Sequence, residues 1–133
     1  MRALPFVVVA GLILSGCSSG LNRPPSEITA TTDSDGVQRV TVVAHSFYFE
    51  PNRVVVKADK PVELHVKNAS LIIPHNMTCI AQEAGVNVHE GLGLFKDSET
   101  VRFTPTKTGE YPFFCAKDAH SKKGMTGTLV VVP

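Results

Sequence analysis

Cysteine is scarce in this chain. Its 133 residues include three, Cys17, Cys79 and Cys115, whereas an exported domain stapled by disulfides carries them in pairs and in greater number. A disulfide scaffold is therefore excluded. Net charge is nearly absent as well: thirteen Lys and Arg stand against twelve Asp and Glu, and loss of Arg2 with a leader would bring the two to twelve each. Such a balance gives no argument for nucleic acid or an anionic membrane surface as a partner. Gly91-Leu92-Gly93 lacks the remainder of any nucleotide-binding fingerprint. The apolar run from Leu4 to Leu14 is too short for a permanent membrane span, which takes roughly 20 residues. Internal repeats, low-complexity tracts and a long helical pattern are all missing. The length leaves room for one domain, able to bury roughly 60–70% of its unfolded surface.

What is present begins with Met1-Arg2-Ala3 and that apolar run, the pattern of an export signal. Leu14-Ser15-Gly16-Cys17 follows, and it resembles the lipobox of bacterial lipoproteins. The resemblance implies that residues 1–16 are removed and that Cys17 is acylated. An ordinary secretory peptide cut near Gly16 is the other reading. Two or more acyl chains hold a protein stably on a bilayer, at about 0.8 kcal/mol per buried methylene, so the mature chain is expected to be anchored to a membrane without spanning it. It would lie outside the cytoplasm, on the periplasmic side where two membranes exist, and Ser18 in place of aspartate mildly favours the outer one. From Ser18 to Asp35 the chain is rich in Ser, Thr, Asn, Pro and Asp, which predicts that residues 17–35 form the lipidated cysteine and a flexible tether, with a reach of at most about 60 Å. The folded domain is then 36–133.

From Val37 onward short runs of Val, Phe and Thr are punctuated by Gly, Pro, Asn and Asp, as in an antiparallel sandwich. Strands are predicted near Val37–Ala44, Arg53–Lys57, Val62–Asn68, Met77–Ile80, Thr100–Thr104, Gly109–Cys115 and Gly127–Val132. The expected fold is all-β, a sandwich of seven to eight strands. Alternation places Val62, Leu64 and Val66 in the core and Glu63, His65 and Lys67 toward water. Residues Gln82 to Ser98, with Gly85, Gly91 and Gly93, suggest a long connection holding a short helical turn.

The chemistry is concentrated between Tyr111 and Val131, where Cys115, His120 and Met125 stand at C-x4-H-x4-M spacing between two strands. A thiolate at one strand end, a thioether at the next strand start and an imidazole between them can converge if the loop folds back. Thiolate, imidazole and a weak thioether suit copper; structural zinc takes four Cys or His ligands and no methionine. The run resembles the ligand loop of the cupredoxins, the blue copper proteins of the plastocyanin and azurin kind and their membrane-anchored bacterial relatives. Phe49-Glu50-Pro51, Lys60-Pro61-Val62, Phe103-Thr104-Pro105 and Gly109-Glu110-Tyr111 extend the resemblance over nearly all of Val37 to Pro133. It implies a Greek-key sandwich holding one type 1 copper ion, with the first histidine taken from Pro74-His75-Asn76, so that His75, Cys115, His120 and Met125 are the ligands. It also implies that Asn76 donates to the thiolate sulfur and ties the two ligand segments together. His45, His65 and His89 lack that context and are expected to be solvated or structural. Cys79 is expected as a buried free thiol, or as the partner of Cys115 in a disulfide of the metal-free protein.

The resemblance implies a carrier of single electrons between a donor and an acceptor redox protein, monomeric and not an enzyme. His120 would be its port, within an apolar patch of Leu71, Ile72, Ile73, Pro74 and Ala119. Lys117, Lys122 and Lys123 outnumber Asp118 in the loop, which suggests a basic rim for an acidic partner. The alternative is a copper carrier or sequestering protein, for which Met-rich or His-rich tracts would be expected; only Met77 and Met125 follow the leader. A multicopper enzyme would need His-x-His pairs, and the dinuclear copper centre of oxidases needs two cysteines in the ligand loop. Neither occurs here.

Overall fold

A computed structural model describes residues 25–70, 72–93 and 97–133. The predicted leader, the predicted lipidation site Cys17, the first part of the predicted tether and Leu71 lie outside them. The strands are β1 (Glu27–Thr29), β2 (Thr31–Thr32), β3 (Gln38–His45), β4 (Tyr48–Glu50), β5 (Arg53–Lys57), β6 (Val62–Asn68), β7 (His75–Ala81), β8 (Val86–Leu92), β9 (Ser98–Phe103), β10 (Gly109–Phe114) and β11 (Thr126–Val132), with single 3₁₀ turns at Gln82–Ala84 and Ser121–Lys123. Two sheets form the expected all-β sandwich. One runs β1-β5-β11-β10-β7-β8; the other runs β2-β3-β6-β9, with β4 paired to β3.

The core lies between the sheets and is built by period-2 alternation. Val40, Val42 and Ala44 of β3 and Val62, Leu64 and Val66 of β6 face Val54, Val56, Phe113, Leu129 and Val131 from the other sheet. Val, Leu and Phe at every second position satisfy a strand with one buried face. As expected, Lys67 on the outer face of β6 is exposed, while Glu63 and His65 are half-buried under neighbours on β9, where His65 bonds Thr100 and Glu63 pairs with Arg102.

The described residues form eleven strands where seven to eight were expected, for three local reasons. The connection after Gln82 contains the anticipated turn, but then a full strand, β8: Val86, Val88 and Leu92 alternate inward, and Gly91 sits on its outer face with open space around it. Glycine there weakens the pattern without breaking the ladder. The hairpin β3–β4 turns on two residues, Ser46 and Phe47. The last part of the predicted tether is also strand, since Glu27–Thr29 pairs in parallel with β5 and Thr31–Thr32 pairs with β3. Main-chain pairing, which needs no apolar side chains, recruits this polar segment into the fold.

Strand direction defines the ends of the sandwich. β3, β6 and β10 finish at the end where β7 and β11 start. β1, β5 and β11 run parallel and begin together there, with Arg53 opposite both Glu27 and Thr128. The β3–β4 turn, the β6–β7 loop, the β10–β11 loop and the start of β1 all lie at this end.

Candidate metal centre

Strand termini bring the predicted residues together. His75 opens β7, and Cys115 follows the last residue of β10, whose Phe114 pairs with Thr78 of β7. His120 and Met125 belong to the loop between β10 and β11. That loop is folded on itself by backbone hydrogen bonds: the His120 carbonyl accepts from Lys123 and Met125, and the Met125 carbonyl accepts from Cys115. The reversal passes through Gly124 at φ +99°, a backbone region that side chains disfavour.

His75, Cys115 and His120 each offer a donor atom, all within 4.8 Å of one another. Cys115 Sγ lies 3.4 Å from His120 Nδ1, and the two imidazole centroids are 5.1 Å apart. His75, Cys115 and Met125 are wholly buried, and His120 is 7% exposed. Both ring nitrogens of His75 are buried without a hydrogen-bond partner. An unsatisfied buried imidazole is costly unless something else occupies its lone pair. Burial, and secondarily the charge of nearby His120, pushes the His75 pKa from 6.5 down to about 4, so the ring is neutral and able to donate to a metal at neutral pH. One thiolate and two imidazoles fit copper, and the wholly buried Met125 can add its thioether.

Asn76 contacts both ligand-bearing segments. Its backbone N–H donates to Cys115 Sγ at 3.4 Å, and its side-chain Oδ1 accepts from the Ala116 N–H at 2.6 Å. The ligand-bearing strand ends are thereby tied across the sheet. Asn76→Ala should leave the Ala116 N–H unpaired and loosen the donor to sulfur. A hydrogen bond of about 1 kcal/mol to the reduced, more electron-rich site corresponds to a fall in reduction potential of roughly 40 mV, since tenfold is about 59 mV for one electron. Voltammetry on the variant checks it, and an unchanged potential would remove Asn76 from this role.

The other histidines stay outside the centre. His45 Nε2 is 3.2 Å from Glu50 and its ring stacks on Tyr48. His65 and His89 bond Thr100 and Thr78. Cys79 is a buried free thiol, and burial pushes its pKa up to about 11, so it is inert near neutrality.

One neighbour of the centre was not anticipated. Phe47, at φ +68°, places its ring centroid 5.0 Å from that of His120 with the two planes nearly perpendicular, and Lys123 Nζ lies 4.1 Å from the Phe47 centroid. A bulky residue in the left-handed region is an outlier, and nothing in the run Phe47-Tyr48-Phe49 distinguishes this ring from a core aromatic. His120, the expected port, is 7% exposed with Phe47 against its ring. Of the predicted patch, Ile72 is 80% exposed, Ala119 is exposed, and Ile73 and Pro74 are half-buried.

A model of the cupredoxin-like domain matches residues 8–131. The chain belongs to the cupredoxin family. No curated protein sequence matches this cupredoxin. Among solved structures, it is similar to the metal-binding domain of the Cu(I)-exporting P-type ATPase CopA of Streptococcus pneumoniae D39 with Cu(I), at 20% identity and TM-score 0.63 over 84% of this chain and 100% of that one. It is also similar to dithionite-reduced auracyanin from Roseiflexus castenholzii, at 22% identity and TM-score 0.60 over 78% and 99%. Auracyanin A, a blue copper protein of Chloroflexus aurantiacus, matches at 23% identity and TM-score 0.57 over 71% and 99%. At these identities the likeness concerns the fold of a cupredoxin; the ligand cluster of this one rests on its own residues.

Proposed function

We propose that this cupredoxin is a membrane-tethered carrier of single electrons, in which His75, Cys115, His120 and Met125 would hold the copper. Copper supplies a one-electron couple there. The observation that carries the reading is closure: three of the four donor residues are wholly buried and His120 is 7% exposed. Electrons cross a closed shell, whereas a carrier that hands over the ion, or an enzyme that turns over a substrate, needs the metal within reach. Buried, interlocked ligands also have little to rearrange when the charge changes.

Voltammetry on the copper-loaded domain tests this directly. A reversible one-electron wave is expected, with the copper retained through repeated cycles in the presence of a Cu(I) chelator. Rapid loss of copper to the chelator on reduction would favour the sequestering alternative.

We further propose that Cys17 carries the lipid anchor outside the cytoplasm and that Lys117, Lys122 and Lys123, all exposed beside the centre, steer an acidic partner. Neutralising Lys122 and Lys123 to Gln should slow oxidation by ferricyanide, an anionic probe, roughly tenfold at low salt and flatten the dependence on ionic strength. Equal salt slopes for the variant and the native chain would end the steering idea.

A further inference from the structure

The placement of β1 bears on how the domain meets its partner. β1 runs parallel to β5 and β11, so its first residue lies at the ligand end of the sandwich. The contacts are direct. The Ser26 carbonyl accepts from the backbone N–H groups of Asn52 and Arg53, and the Asn52 carbonyl accepts from Thr128, three residues after Met125. Ser26 N–H in turn donates to the Asn52 side chain at 3.0 Å. The N-terminal arm therefore leaves the domain beside the copper ligands and not from the opposite end, where the turn at Asp35-Gly36, Lys60 and Lys107 lie.

Nine residue steps separate Cys17 from Ser26. They span at most about 30 Å whatever their conformation. The sandwich itself is on the order of 25 Å long between its ends, from seven-residue strands. Turning the far end toward the bilayer would lift Ser26 by nearly that full length and leave the arm almost no slack.

From this we infer that the ligand end of the domain faces the bilayer, so that its redox partner is a membrane-bound protein presenting an acidic face close to the lipid surface. This rests on the anchoring of Cys17 proposed above. The surface so presented carries exposed Ile72, Lys117, Lys122 and Lys123, an apolar and cationic combination that suits an acidic protein rim.

The chain has no tryptophan, so one introduced indole reports alone. Full-length, copper-loaded chains carrying Ile72→Trp or Lys107→Trp are bound to neutral vesicles with and without nitroxide on the lipid headgroup. The ratio of the two intensities cancels quenching by copper. Ile72→Trp should be quenched several-fold more strongly than Lys107→Trp; equal or reversed quenching overturns the orientation. Stronger quenching of Ile72→Trp by nitroxide deep on the acyl chain than at the headgroup would mean that the bilayer itself covers this face, overturning the protein partner. Electron exchange gives a second readout. A lipid-linked ferrocene should reduce the native chain roughly fivefold faster than a variant with about twenty extra residues after Cys17, while dissolved ferrocyanide reduces both alike. Equal rates with the ferrocene also overturn the inference. Anchoring is scored separately: the native chain should sediment with vesicles and Cys17→Ala should not. A native chain that fails to sediment refutes the anchor, whereas one that sediments with the wrong quenching pattern refutes only the orientation.

Discussion

Cys115→Ser is expected to abolish the intense visible absorption of the Cu(II) protein and to weaken copper binding more than a hundredfold, while the fold persists. The absorption arises from charge transfer between the thiolate sulfur and copper, and a serine hydroxyl is neither soft nor ionised near neutral pH. Partners of metal ligands already lower affinity 10–100-fold when lost, so removal of a ligand should exceed that range. The substitution is nearly isosteric in a wholly buried position, and the Asn76 N–H that donates to Sγ can still meet an oxygen. Circular dichroism should therefore be unchanged. Cys79 offers no substitute: it stands outside the cluster with its thiol held protonated by burial. Visible and EPR spectra of the two proteins decide the matter. A band that survives the substitution would refute Cys115 as ligand.

The second large effect lies two residues beyond Met125. A methyl group at Gly127 would overlap Phe113 Cζ and Cε2 and press on the carbonyl oxygen of Asn52. Phe113 cannot step aside, since it is wholly buried and edge-on to Phe49 at 5.3 Å, and the Asn52 carbonyl is fixed by its bond to Thr128. Gly127→Ala should destabilise the domain by about 3 kcal/mol, the upper part of the range for overpacked cores. For a domain of this size that is a fall of roughly 10–20 °C in Tm. Gly127 pairs with Phe113 across β10 and β11, two residues from both Met125 and Cys115. Relief of the overlap by strand displacement would move ligands, so the copper spectrum should shift together with the melting temperature. A native melting curve would show that the strands part without cost.

The centre was legible because its chemistry is local. Cys115, His120 and Met125 fall in one loop, and Pro74-His75-Asn76 carries the fourth donor in a recognisable context; the structure brings His75, Cys115 and His120 together around two unsatisfied ring nitrogens. The core strands were legible because Val, Leu and Phe alternate in them. The signal failed where pairing does not depend on side chains. Glu27–Thr29 and Thr31–Thr32 are strands exposed at every position and held by main-chain hydrogen bonds, and their Thr-rich composition is also that of a linker. β8 was hidden by Gly91, which its exposed face tolerates, and by Gly85 and Gly93 just outside its two ends. Phe47 was invisible for another reason, since its contact with His120 depends on a two-residue turn bringing together chain segments more than seventy residues apart.

That contact changes what the solvent can do to the centre. Outer-sphere reorganisation comes from dipoles that must turn when an electron arrives, and a water molecule against His120 would be the most mobile of them. A hydrocarbon ring has no permanent dipole to turn. With Phe47 edge-on to the imidazole and Lys123 over the Phe47 ring, only 7% of His120 is left to solvent, so an electron-carrying copper there, as proposed, would have few mobile dipoles to reorient at this ligand.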